Sequence, residues 1–453
     1  MNIKNSMISN ESEKLNKLPP GSNGWPLIGE TISFVTNNHK FFEDRHKKYG
    51  PVFKSHILGK STVFFIGSKA FTFFINNPSI TRENSNPKFI QKLLAGPSLP
   101  MIDGEEHLRV RKLVLEAFTP EALNSYISIL DQIVLNNVDD WQQRKTFTWI
   151  PELRKTALLF AVSLLLGKDP KSNDLSLKSL IEDYSKGFTA LPINLPFTTF
   201  GRAIKARDEF LKLIDQEIAC QRQAPKNNIL GKLIKAEASD GFKLEDTQLR
   251  AEILHMIFAS YSGISFILSI LVMNLAQHPK IMDKVRDEVE KIFPWGSDDL
   301  NLEKLNEFTY IDQVSREVLR SNRINASTFM AKVEEPIEYN GYRIPKGWKA
   351  IGGLYTTMQD KNIYTKPDQF DPDRFSQVRN EGADHENSFI PQGGGAIEGH
   401  RCAGEMLVRM VMKITAVRLL QRHDWVLPPQ NFKLSKAQFP LPKDELKVVF
   451  TRL

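Results

Sequence analysis

Between Ile253 and Gln277 the chain reads ILHMIFASYSGISFILSILVMNLAQ, 25 residues without a Lys, Arg, Asp or Glu. A run this long and this apolar is stable in a membrane, or inside a protein large enough to bury a helix on all sides. Five hydroxyl side chains (Ser260, Tyr261, Ser262, Ser265, Ser269), Asn274 and a solitary mid-chain position argue for the second. A lone span would also put the two halves of the chain on opposite sides of a bilayer. The stretch therefore predicts a central core helix, which needs other helices packed around it. With 453 residues, 41% of them hydrophobic, the chain is long enough to supply that core.

The rest of the pattern agrees. HKFFEDRHKKYG reads as a short amphipathic helix ending at Gly50, and PVFKSHILGKSTVFFIG as a hairpin turning at Gly59-Lys60. From Lys69 to Pro279 the periodicity is mainly helical, and KIMDKVRDEVEKIF and EFTYIDQVSREVLR continue it. Strand signals return in PIEYNGYRIPKGWKAIGG and in the C-terminal WVLPP and LKVVFTRL. We expect a mainly α fold with a small β-rich part near the N-terminus. Residues 1–18 read as a disordered polar tail closed by Pro-Pro-Gly, and 19–453 as a single domain. No secretory leader is visible, so we expect a soluble, cytoplasmic protein without a transmembrane anchor, with peripheral membrane contact still open.

The formal net charge of +7 is spread along the chain. No basic stripe is interleaved with aromatics, so a nucleic-acid groove is not indicated, and the chain is expected to be a monomer. Two cysteines cannot build a disulfide framework, and a reducing compartment is implied. Cys220, in the charged helical stretch DEFLKLIDQEIACQRQ, reads as a small buried hydrophobe. Cys402 differs. It stands in QGGGAIEGHRCAGE, where three glycines specify a loop. Leu407, Met410, Val411, Ile414 and Val417 then mark the apolar face of a following helix. Free N–H groups at that helix start, with His400 and Arg401, favour a thiolate. A fixed thiolate is a nucleophile or a metal ligand. The first needs a placed general base and the second, for zinc, about four ligands.

REVLR with Glu317 and Arg320, PDQFDPDRF with Arg374, and the cysteine loop follow one another in that order, and together they resemble the cytochrome P450 superfamily. The resemblance covers nearly the whole chain after the tail. It implies the P450 fold, with heme b (iron protoporphyrin IX) between the long central helix and the cysteine-loop helix. It makes Cys402 the axial iron ligand and Glu317, Arg320 and Arg374 a structural lock behind the heme. HLRVRKLVLEAFTPEAL resembles the helix that meets the heme propionates, placing His107, Arg111, His400 and Arg401 near them, with Gly404 beside the cysteine. LPPGSNGWPLIGE and LPINLPFTTFG are most similar to the retinoid-hydroxylase branch, including its cyanobacterial members. The implied activity is insertion of an oxygen atom into a lipophilic molecule such as a terpenoid, retinoid or fatty acid. The implied electron donor is of the ferredoxin or flavodoxin type, docking on a face carrying Arg109, Lys112 and Lys413.

Two departures matter. Gln392 replaces the Phe that usually opens the cysteine loop, and extra residues separate GGG from GHRCAGE, which resembles bacterial fatty-acid peroxygenases. In the long helix the family motif A-G-x-(D/E)-T is replaced by Ala259, Ser260, Tyr261, Ser262 and Gly263. Splitting dioxygen needs protons at its outer oxygen, and an acid and an alcohol normally hold the water that delivers them. Ser262 is too weak an acid and Gly263 has no side chain. A peroxide-driven enzyme with no electron donor, a hydroperoxide isomerase or dehydratase, and a heme-binding protein without turnover therefore stand beside the monooxygenase. Arg323 reads as a surface residue or as an unusual cation near the pocket.

Overall fold

The computed structural model describes residues 17–169, 175–297, 299–435 and 439–453; most of the expected polar tail lies outside them. Six helices position the site and are labelled in chain order: α1 (Gly104–Leu115), α2 (Trp149–Leu166), α3 (Leu175–Lys186), α4 (Asp246–Gln277), α5 (Thr309–Ser321) and α6 (Glu405–Leu420).

Helix α4 is the predicted core helix. It lies along α2 and touches α3, α5 and α6. Its length and composition would suit a bilayer, but 67% of its most apolar window is buried inside the fold. Two of its hydroxyls are satisfied locally: Ser265 Oγ donates to the Ser262 carbonyl (3.3 Å) and Ser269 Oγ to that of Ser265 (2.6 Å). One contiguous apolar cluster joins α4 to α2, α5 and α6.

The predicted hairpin forms from Val52–Ile57 and Lys60–Phe65, with Leu58-Gly59 at the turn. The sheet is not built from the N-terminal region alone. In spatial order it runs Gly21–Ser22, Val52–Ile57, Lys60–Phe65, Lys349–Gly352, Ala331–Val333, Ile80–Thr81. Half of its inner strands come from beyond residue 330, a long-range pairing that alternation cannot reveal. A separate hairpin, Ile337–Tyr339 with Tyr342–Ile344, turns at Asn340-Gly341, both at positive φ (52° and 74°), as a tight two-residue turn requires. The C-terminal strands His423–Val426 and Lys447–Arg452 pair with each other, and the latter with Thr146–Thr148.

Two short segments expose large apolar side chains: Trp25, Leu27, Ile28, Ile32 and Val35 near the N-terminus, and Leu191, Ile193, Leu195 and Phe197 before the helix Thr199–Gln223. Cys220 lies on an exposed face of that last helix, so it is not the buried hydrophobe expected. The apolar i, i+3, i+4 positions of this helix go inward (Phe210, Ile214, Ile218), and residue 220 falls off that stripe.

Candidate active site

The cysteine loop is held from three sides. Gly393 (φ +94°) and Gly395 (φ +82°) adopt left-handed backbone, open to glycine at no steric cost. The Gly395 N–H donates to Asn387 Oδ1 (2.7 Å), and the Cys402 N–H to the Gln392 carbonyl (3.2 Å). From α1, Arg111 donates through Nε and Nη2 to the Ile397 carbonyl (2.8 and 2.6 Å) and through Nη2 to that of Arg401 (2.6 Å). The clamp sets Cys402 three residues before α6. The Gly404 N–H bonds toward its sulfur, and a Cβ added at Gly404 would lie 3.9 Å from Sγ. The predicted apolar face of α6, from Leu407 to Val417, is buried as expected.

The expected local activation of the thiol does not appear. Burial pushes the Cys402 thiol up, and the Gly404 N–H, Arg111 and Arg401 offset that only in part. Desolvation of the charged form outweighs the nearby cations, so a bound metal is what would deprotonate this sulfur.

The four residues expected near the propionates do gather around the loop, with different partners. His107 is buried, and its ring lies 3.9 Å from that of His400 (interplanar angle 31°). Burial, with His400 and Arg111 nearby, pushes His107 down to about 3, so it is neutral. His400 Nε2 lies 3.2 Å from Asp103 Oδ1, while Arg401 turns to Glu405 (2.6 and 2.8 Å). Asp103 and Arg82 are members that the sequence analysis missed. Asp103 caps α1 by accepting from the Gly104 N–H (2.9 Å) and also accepts from the Arg82 N–H (2.6 Å). Burial would raise its pKa, but His400 and the Arg82 N–H hold it well below the usual carboxylate range. An Asp just ahead of Gly-Glu-Glu was a readable cap signal. Arg82 is 6% exposed, with its guanidinium 5.4 Å from the Phe74 ring centroid.

On α4, Ala259 and Gly263 are one helical repeat apart and share a face. Ala259 is exposed although the helix around it is largely core, and a Cβ built at Gly263 meets no atom within 4 Å. Open space therefore reaches the central helix at both residues. Ser260 is half-buried, and Met256 and Phe258 pack against the core. Ser262 lines a cavity bordered by α2 and α3.

The structural lock forms as a buried network. Glu317 accepts from Arg320 Nε and Nη2 (both 2.8 Å) and from the Asp371 N–H (3.1 Å), and Arg374 Nε lies 3.0 Å from Glu317 Oε2. All three side chains have no exposure. Glu381, missed in the sequence, binds Arg374 Nη1 (2.6 Å) and balances the second cation.

Two other expectations change. Lys413 is buried, donating to the Leu305 carbonyl (3.0 Å) with Asp312 at 3.4 Å, and so is not a solvated charge on a docking face. Its stem packs in the core while the ammonium reaches the carbonyl. Arg109 and Lys112 remain outward, with Arg109 paired to Asp240 (2.8 Å). Arg323 forms a half-exposed pair with Glu43 (2.9 Å), the surface alternative.

Glu252 on α4 was also missed. It is fully buried, its Oε1 accepts from the Leu99 N–H (2.6 Å), and Oε2 has no partner. Burial raises its pKa from 4.5 to about 8. The unfolded chain ionises near the lower value, so folding holds this carboxyl neutral, and that contribution is lost as pH climbs from 4.5 through 8. Glu252→Gln should therefore change stability little at pH 5 and raise it by about 4 kcal/mol at pH 8.5. Thermal unfolding at the two pH values reads this out; equal shifts at both would contradict it.

These residues fit a heme. A single thiol stands at the end of a clamped loop, cations and imidazoles surround that loop, and the facing helix presents small side chains to open space. Among the described residues no three His, Cys, Asp or Glu side chains converge as a metal cage, so an iron here needs in-plane ligands from a macrocycle. Residues 19–450 match the Cytochrome P450 family model. The chain belongs to this family of heme b monooxygenases. It is 33% identical over 436 residues to "Putative cytochrome P450 120" of Synechocystis sp., covering 95% of this chain and 96% of that one. The solved structure "Retinoic acid bound cyanobacterial CYP120A1" superposes with a TM-score of 0.88 at 32% identity, covering 97% of this chain and 100% of that one. "Abscisic acid 8'-hydroxylase 1" of Arabidopsis thaliana is 29% identical, covering 96% of this chain and 91% of its own length.

Proposed function

We propose that the chain, as one catalytic domain from residue 19 onward, hydroxylates a lipophilic small molecule of the retinoid or terpenoid kind, with Cys402 as the residue that would hold the heme iron. The observation that carries this reading is the clamped loop that presents one thiol just before α6, the helix that packs on α4. Cys402 would hold a heme through its thiolate, and that group would supply dioxygen activation, with the sulfur's electron donation favouring O–O cleavage. The chain's own residues do the rest. Arg111 fixes the loop through its carbonyls, and His107, His400, Arg401 and Arg82 surround it with donors for the propionates. Ala259 and Gly263 keep the reacting side free of bulk. Leu93, Leu94 and Leu99 supply buried apolar surface on the border expected for the substrate. The retinoic acid in the name of one relative and the abscisic acid in that of another support a lipophilic acid as substrate. Electrons would come from a ferredoxin- or flavodoxin-type partner meeting a monomer near Arg109 and Lys112.

A second reading, use of peroxide, is favoured by one observation: neither Ser262 nor Gly263 places an acid or an alcohol on the face of Ala259. Peroxide already carries both oxygens and avoids much of that penalty. We expect peroxide-supported turnover of retinoic acid, abscisic acid or a long-chain fatty acid to be at least comparable to turnover with a reductase. Ser262→Glu with Gly263→Thr should raise reductase-coupled product about tenfold or more and lower peroxide release. Well-coupled oxygenation by the native enzyme, without peroxide activity, would sink this second reading alone.

We place the protein in the cytoplasm, touching membranes only peripherally through Trp25, Leu27, Ile28 and the 191–197 segment. Holoprotein should float with lipid vesicles, and Leu27→Asp with Phe197→Asp should remove that binding. Flotation unchanged in the double variant would refute the contact.

A further inference from the structure

Helix α4 has a second functional-looking flank. Tyr261, Ser262, Ser265 and Phe266 border a cavity of about 290 Å³. Its other lining residues are Arg154 of α2, Glu182, Ser185 and Lys186 of α3, and Phe439 and Leu441. Arg154 and Lys186 are exposed and Glu182 is half-buried, so the cavity leads from the surface to the side of the core helix. A water takes about 30 Å³, so several fit, provided each finds polar partners. Those partners are present. Ser185 Oγ is buried and has no bond within the protein, which a water in the cavity would supply.

Hydroxylation with dioxygen consumes two protons per turnover, as the oxygen atom not inserted leaves as water. They must cross a core whose apolar side chains conduct none. Ser262 lines the cavity and is next in sequence to Gly263, where the backbone carries no side chain and an added Cβ would meet nothing within 4 Å. The cavity also holds Glu182, whose charge is felt at Tyr261 together with that of Arg154.

We propose that this cavity is a water inlet for protons and that Glu182, on α3, is its exchangeable carboxyl, standing in for the acid that α4 lacks at position 262. The inference rests on the monooxygenase reading. The protonated carboxyl gives its proton to a water held at Ser262, and that water passes one of its own toward the open face at Gly263. The carboxylate then regains a proton from bulk water at the mouth beside Arg154 and Lys186. No electrons move and no bond other than O–H forms or breaks. Glu182 acts through water, so it is a positioning residue.

The test has two arms on the heme-loaded full chain. In the first, Ser262→Cys in a Cys220→Ser background is treated with small thiol reagents, one cationic and one anionic, and labelling is followed by mass spectrometry against Cys220→Ser alone. An inlet predicts labelling without denaturant, and adding Glu182→Gln should shift preference severalfold toward the anionic reagent. A residue 262 that stays unlabelled until the protein unfolds would overturn the proposal. In the second arm, Glu182→Gln should divert electrons from product to released peroxide by about tenfold or more and flatten the pH dependence of coupling. Substrate affinity should stay unchanged, and Glu182→Asp should restore coupling. Native-like coupling and pH profile in Glu182→Gln, beside an active native enzyme, overturn the relay and leave the monooxygenase intact. A native enzyme with no reductase-supported product overturns the function itself, and the relay with it.

Discussion

Cys402→Ser should remove the absorption band of the carbon monoxide complex that gives the family its name, and with it all oxygenation. Cys220→Ser should leave both unchanged. The contrast follows from where the two thiols stand. Cys220 sits on an exposed helix face, and nothing in the fold depends on it. Cys402 is fixed by its N–H to the Gln392 carbonyl (3.2 Å), and Arg111 ties the preceding residues to α1. A serine hydroxyl placed there is a far weaker acid than a thiol. Burial already works against the charged form of the thiol, and it acts on an alkoxide in the same direction. The serine therefore stays neutral, and a neutral hydroxyl lacks the electron donation that defines a thiolate-bound heme. The variant should still fold, because serine fits the volume and the loop keeps its other anchors. A circular dichroism spectrum like that of the native protein, with the band lost, is the expected pair of results. A band that survives in Cys402→Ser and vanishes in Cys220→Ser would reverse the ligand assignment.

Local chemistry was legible in the sequence, and long-range partnership was not. The core helix could be predicted because 25 uncharged residues leave few alternatives. The cysteine loop could be predicted because glycines and an amphipathic helix flank it. Glu317 and Arg320 are one turn apart, so their pairing is a local fact. Glu381 and Asp103 were missed because each meets its partner through a loop: Glu381 reaches Arg374 from seven residues on, and Asp103 reaches His400 from 297 residues away. Glu252 was missed for another reason. A carboxyl at the edge of an apolar run reads as the start of the solvent-exposed part of a helix, and only the packing of Leu99 over it shows that it is buried. The direction of the Cys402 shift was misjudged because helix-end electrostatics can be read from sequence, whereas desolvation depends on the whole surrounding fold. Ser262 and Gly263 show the limit of a motif as well. The letters say what is absent at two positions, and only the structure shows the cavity beside Ser262 and the open space at Gly263.

Arg320→Ala should yield little or no soluble heme-loaded protein. The guanidinium makes four bonds in full burial: two to Glu317, one to the Met358 carbonyl (3.0 Å) and one to the Pro367 carbonyl (2.7 Å). It thereby joins α5 to two loop segments that lead toward the cysteine loop. Removing it leaves the Glu317 carboxylate with Arg374 and the Asp371 N–H as its remaining partners, and orphans two buried carbonyls. Three cations and three carboxylates, Arg320, Arg374 and Arg379 with Glu317, Glu381 and Asp371, balance in the native network. The variant has one buried negative charge in excess. Breaking such a pair from one side costs about 3–5 kcal/mol, a large part of the 5–15 kcal/mol by which a folded protein is typically stable. Arg320→Lys keeps the charge but cannot span both Glu317 oxygens and two carbonyls from a single ammonium. It should therefore recover only part of the loss. Glu317→Gln with Arg320→Met removes the charges together and should be less damaging than Arg320→Ala, because no ion is left without its counterpart. Heme content per protein and the urea midpoint of the soluble fraction measure the series. Native yield and heme content in Arg320→Ala would mean that this network does not hold the fold behind the cysteine loop.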